Sequence, residues 1–107
     1  MEYRLCWVMC ASAEEAERIA RAVVGERLAA CANLLAPATS LYWWQGRLEE
    51  GREVPLVLKT RADLVDALTE RVVALHSYAC PCVVALPIAG GYAPYLAWCA
   101  EETREAS

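Results

Sequence analysis

One histidine and six cysteines carry the widest range of chemistry in this chain: His76, with Cys6, Cys10, Cys31, Cys80, Cys82 and Cys99. A neutral imidazole and a thiolate are good ligands for transition metals, and thiolate softness favours Cu(I) or Zn(II) over Mg(II) or Ca(II). His76 could supply the imidazole, or it could bond the last carbonyls of a helix. Cys82 could supply a soft donor, or fill a small apolar space on a strand. Cys10 ends the first apolar run and could reach the same end of a sheet as Cys82. The trio Cys10, His76 and Cys82 is therefore the candidate metal set, with core packing the alternative for Cys10. Cys6, Cys31, Cys80 and Cys99 are read as structural. No C-x-x-C pair occurs, so neither a zinc ribbon nor a thioredoxin-type dithiol is indicated. A thiol enzyme built on Cys82 and His76 would need an oriented base and an oxyanion hole. No Gly-rich or Asp/Asn signature accompanies the pair, so the chain is not expected to be an enzyme.

The elements that must position these groups follow from periodicity. Residues 3–10 read as a strand with two apolar faces, Cys6, Val8 and Cys10 on one and Leu5, Trp7 and Met9 on the other. Such a strand belongs in the centre of a sheet covered on both sides. Ser12 and Glu15 form a capping box for a helix whose apolar positions are Ala16, Ile19, Ala20, Val23 and Val24, ending near Leu28. Glu14–Arg18 and Glu17–Arg21 are i,i+4 pairs on its outer side. Residues 30–44 read as a long strand bent at Pro37, Gln45-Gly46 as a turn, and 47–60 as the returning strand with a bulge at Glu49-Glu50-Gly51. Asp63 is expected to cap a second helix reaching His76, with Leu64, Leu68, Val72 and Leu75 as its core stripe. Residues 82–88 form a third apolar strand, and Pro94 opens a final helix. This order predicts an α+β chain of ferredoxin-like β-α-β-β-α-β type, with an extended β-hairpin and a C-terminal helix, as a single domain over 1–107.

Composition narrows the partners. Of 107 residues, 58% are hydrophobic, more than so small a body can hide alone, so part of the apolar surface should face a partner chain. A net charge of −4 argues against nucleic acid, which requires a basic face. The apolar stretches near 28–38 and 83–89 are broken by Pro, Asn or Gly, so no membrane span is expected. Leu5–Cys10 followed by Ala11-Ser12-Ala13 mimics a short signal peptide, but Glu2 and Arg4 leave no positive leading region. A cytoplasmic location, with free thiols rather than disulfides, is the expectation.

Glu26-Arg27-Leu28-Ala29-Ala30-Cys31-Ala32-Asn33 resembles the "ERLAACxN" signature of the CutA divalent-cation-tolerance family. Thr39–Gly46 resembles its "TSxYxWxG" hairpin, Leu58-Lys59-Thr60 its "LKT", and Leu75–Pro81 its "HPYxxP" block. Ala85-Leu86-Pro87-Ile88 and Tyr95-Leu96-Ala97-Trp98 fit the remaining blocks. Two residues depart: Ser77 replaces the Pro after the His, and Cys82 stands where the family has Glu after Pro81. The resemblance implies a homotrimer in which hairpins pair between subunits, and binding of copper or another divalent transition metal without an organic cofactor. It gives Tyr42, Trp43 and Trp44 a role as interface anchors. It also implies a PII-like architecture. An alternative function is therefore a signalling module holding a small anion in inter-subunit clefts near Lys59, Tyr78 and Trp98. For Lys59, the other reading is an ion pair with an acidic neighbour; for Trp98, it is plain packing.

Overall fold

Eight residues, Tyr3–Cys10, form the central strand β1, and their alternation decides what lies on each side of it. The computed structural model describes residues 1–106. After β1 come α1 (Ala13–Gly25), β2 (Cys31–Leu34), β3 (Ala38–Trp44) and β4 (Arg47–Arg61). A 3₁₀ turn (Ala62–Leu64), α2 (Val65–Leu75), β5 (Val83–Ile88) and α3 (Ala93–Glu101) complete the chain. The sheet runs β2-β4-β1-β5 with every pairing antiparallel, and β3 pairs with the outer half of β4. Cys6, Val8 and Cys10 are fully buried opposite Leu58, Leu56 and Val54 of β4. Above them pack Ala16, Ile19 and Val23 of α1 and Leu68 and Val72 of α2. No helix among the described residues is long and apolar enough to cross a membrane.

The other face of the sheet is different. Leu5, Trp7 and Met9 are half-exposed, and Val84 and Leu86 of β5 are about half exposed beside them. The two apolar faces of β1 therefore do not both find cover within one chain. Only a corner of this open face is met by α3, near Lys59.

The long strand expected over 30–44 is interrupted. Between Leu34↔Leu56 and Ala38↔Glu53, three residues (35–37) stand opposite two, Val54 and Pro55. Pro37 has no N–H to give to the ladder, so the extra residue is accommodated there. The Glu49-Glu50-Gly51 stretch, expected to bulge, is in unbroken register with Ser40, Leu41 and Tyr42. Gln45 and Gly46 both have positive φ (50° and 78°), as a two-residue hairpin turn with right-handed strand twist requires. This arm gives the chain its 44 Å long axis.

Two helix ends also differ from expectation. α1 stops at Gly25, three residues before Leu28. Leu28 N–H donates to the Val23 carbonyl (2.9 Å) and Arg27 N–H to Val24 (3.0 Å), while Arg27 adopts φ 61°. This is a Schellman stop with an arginine where glycine is usual. Arg27 is held by tertiary bonds to the C-terminal segment: its Nη1–H donates to Glu102 Oε2 (2.9 Å), and its carbonyl accepts from Arg104 N–H (2.8 Å). Asp63 does not cap α2. Both its oxygens are taken by the Arg61 guanidinium (2.9 and 2.8 Å), a fork that holds its carboxyl below the usual range.

Candidate functional site

Glu15, the capping-box partner of the α1 N-cap Ser12, is also the centre of the candidate site. Glu15 accepts Ala11 N–H at Oε2 (2.7 Å), and its own N–H donates to Ser12 Oγ (3.1 Å), completing the box read from sequence with a reach of one extra residue. Its Oε1 accepts the backbone N–H of Ser77 from 62 residues away (2.7 Å). Only 4% of Glu15 is exposed. Burial pushes its carboxyl up, but the donors of Ser77 and Ala11 outweigh that and hold it below the usual value. Arg18, expected opposite Glu14, stands 3.8 Å from Glu15 instead and donates to the Leu75 carbonyl (3.1 Å).

His76 follows the last residue of α2, with its side chain fully buried. Tyr78 N–H donates to Nδ1 (3.1 Å), so that nitrogen keeps its lone pair and Nε2–H donates to the Met9 carbonyl (2.7 Å). The imidazole joins the end of β1 to the loop after α2. Cys10, on the core face of β1, completes the group: one ligand atom each from Cys10, Glu15 and His76 lie within 4.8 Å of one another. Burial, then the charges of Glu15 and Glu53, push the Cys10 thiol up to about 12.

Cys82 lies outside this group. It is exposed, and its carbonyl accepts Met9 N–H (3.3 Å). Burial and Glu53 raise its thiol. It lines a groove of about 570 Å³ between the arm and the loop 77–82, with Met9, Tyr42, Trp44, Glu53, Tyr78 and Cys80. Tyr78 O–H donates to Glu53 Oε2 (2.9 Å), and its hydroxyl is held well above its ordinary value by burial and by that carboxylate. Pairing parity separates the three aromatic residues of β3. Tyr42 and Trp44 share the groove side with Glu53, whereas Trp43 lies on the opposite face of the arm with Leu48 and is 73% exposed.

Lys59 and Trp98 sit at the opposite end of the open face. Lys59 Nζ–H donates to Asn33 Oδ1 (3.1 Å) and lies 6.0 Å from the Tyr95 ring centre, and Trp98 packs on Tyr95 (5.6 Å between centroids). Tyr78 does not join them: its partner Glu53 is six residues from Lys59 along β4, roughly 20 Å at strand rise. Glu15 and Glu53 carry much of this geometry, yet neither stood out as a site residue in the sequence. Glu15 could be read only as a cap. Glu53 was one acidic residue in a mixed run, though its place beside the apolar Val54-Pro55-Leu56 was the available signal.

Residues 4–102 match the family described as CutA1 divalent ion tolerance protein. The chain belongs to that family. Protein CutA of mouse is 46% identical over 101 residues, covering 94% of this chain and 57% of its own length. The divalent-cation tolerance protein CutA of Thermus thermophilus is 50% identical over 92 residues, covering 86% and 89%. Rice protein CutA 1 is 44% identical over 92% of this chain, which spans 56% of the rice protein. Among solved structures, the Thermus protein superimposes with TM-score 0.93 at 45% identity over 95% of this chain and 99% of its own. Rice CutA1 does so with 0.95 at 42% identity over 98% and 96%. The name of the Thermus thermophilus protein describes tolerance of divalent cations rather than a reaction. The cytoplasmic expectation is corrected here. The rice and Arabidopsis CutA proteins are named chloroplastic, and the solved Archaeoglobus fulgidus CutA is named periplasmic. The names of these relatives thus place CutA proteins in more than one compartment.

Proposed function

We propose that this CutA1-family chain binds transition-metal ions, copper foremost, as a homotrimer, and supports divalent-cation tolerance by binding alone. The buried convergence of a thiol, a carboxylate and an imidazole carries this reading. Sulfur, nitrogen and oxygen donors suit Zn(II) and copper. Cys10 and His76 hold the ion with Glu15, and Cys82 supplies a further soft donor from the neighbouring groove. The ion has to displace the Ser77 and Tyr78 N–H donors from Glu15 and His76 and expel the Cys10 proton, so uptake is coupled to loosening of residues 77–78. Apolar surface supports the assembly. The strand order is that of a ferredoxin-like sheet whose second face, with Trp7, Val84 and Leu86, is uncovered, as is Trp43 on the arm.

Calorimetric titration of reduced protein with Zn(II) and Cu(I) should show saturable binding, with about one proton released per ion and affinity rising about tenfold per pH unit. Cys10→Ala should weaken it at least about tenfold. The apo protein should scatter light as three chains. Binding by Cys10→Ala at unchanged affinity, without proton release, would refute the site.

An anion-binding, PII-like role is favoured by one observation. Lys59, half-buried, bonds a neutral amide and has no carboxylate partner among the described residues. Trp98 walls that corner through Tyr95, and a neighbouring copy would have to bring Tyr78 to it. Small carboxylates should then raise the melting temperature of the wild type, and Lys59→Met should abolish the shift. A screen in which metals alone shift it removes this reading.

A further inference from the structure

The groove beside the thiol–imidazole group has a composition that metal binding does not explain. Its walls are aromatic and apolar, from Tyr42, Trp44, Tyr78 and Met9, and its charged lining group is Glu53. Glu53 accepts one neutral hydroxyl, from Tyr78, and makes no ion pair among the described residues. Its neighbour Arg52 is turned to the other face of the arm, where it meets Thr39 (3.4 Å). The basic residue on the groove side of the arm is Arg47, six residues from Glu53 and roughly 20 Å away at strand rise. A half-buried carboxylate thus faces an aromatic hollow with no counter-charge supplied among the described residues.

We infer that this groove is a site for an organic cation, a protonated amine or quaternary ammonium group of small size, held between Tyr42, Trp44 and Tyr78 with Glu53 as its counter-ion. Ring faces attract a cation whose charge is spread over methyl or methylene groups, and desolvation strengthens that attraction. Neutral apolar ligands would leave Glu53 uncompensated, and anions would be repelled by it. The Tyr78 hydroxyl and the Cys82 thiol are raised first by burial and then by Glu53, whose share a cation would relieve. The volume of about 570 Å³ falls in the range of small-ligand pockets. If a neighbouring copy closes over the open face, it roofs this hollow and makes the need for a cation greater. The site needs none of Cys10, Glu15 or His76 and shares only Tyr78 and Cys82 with the metal reading, so metal-free protein tests it separately.

The test is calorimetric titration of reduced, chelator-treated protein with choline and with its neutral isostere 3,3-dimethylbutan-1-ol. Choline should bind saturably and the alcohol should not. Glu53→Gln, which keeps an acceptor for Tyr78, should weaken choline about tenfold, and Trp44→Leu by a similar factor, with both variants keeping the wild-type circular dichroism. No saturable choline binding, equal binding of the alcohol, or unchanged affinity in Glu53→Gln would each overturn the inference.

Discussion

Glu15→Ala should lower folding stability by about 3 kcal/mol in urea unfolding at fixed protein concentration, because it strips two backbone donors of their shared buried acceptor. Ala11 N–H and Ser77 N–H both end on this carboxylate at 2.7 Å. Charge-assisted bonds of this kind contribute about 1.5–3 kcal/mol each. A lost helix cap alone would cost only about 1 kcal/mol, so the excess measures the long-range bond to Ser77. The same bonds fix a pH dependence. They lower the Glu15 carboxyl in the folded chain, so its stabilisation is complete above the unfolded carboxylate value and fades as pH falls through the lower folded value. Subtracting the acid unfolding curve of Glu15→Gln from that of the wild type should isolate this slope. A difference flat with pH would mean that the carboxylate charge plays no part.

His76→Phe should be the second large loss, about 3 kcal/mol, with the metal-free protein as reference. Phenylalanine keeps the aromatic contact on Tyr78 (4.7 Å between ring centres) but bonds neither neighbour. The Met9 carbonyl loses its donor and Tyr78 N–H its acceptor. Each group orphaned beside the buried ring costs about 1–3 kcal/mol. His76 and Glu15 grip consecutive residues of one loop from two elements, so the double variant should cost less than the two single losses combined. Strict additivity would show two independent bonds rather than a single clasp.

This clasp shows how the ligand candidates divide between two roles. Under the proposed metal reading, the Ser77 and Tyr78 bonds that help make Glu15 and His76 structural are the ones an incoming ion would break. On that reading, metal uptake and the stability of the 77–78 segment would be opposed. Cys10 adds a proton to be expelled, and the groove outside carries a separate negative field centred on Glu53.

Local pattern was enough for much of this protein. Alternation over residues 3–10, the Ser12–Glu15 box, the Gln45-Gly46 turn and the Pro94 helix start are short-range effects of side-chain periodicity, capping and allowed φ, and the family signature follows the same residues. What local pattern could not supply is whatever depends on a partner distant in the chain. Arg27 takes the left-handed place of a glycine because the C-terminal segment holds it, and Asp63 forsakes the helix end for Arg61. Glu15 reaches Ser77, and Glu53 meets Tyr78, across 62 and 25 positions. Those pairings turn a capping residue into the heart of a buried donor group and an unremarkable glutamate into the charge of an aromatic groove. Their strength comes from burial and exact distance, which exist only once β1, β4 and the loop after α2 have packed together.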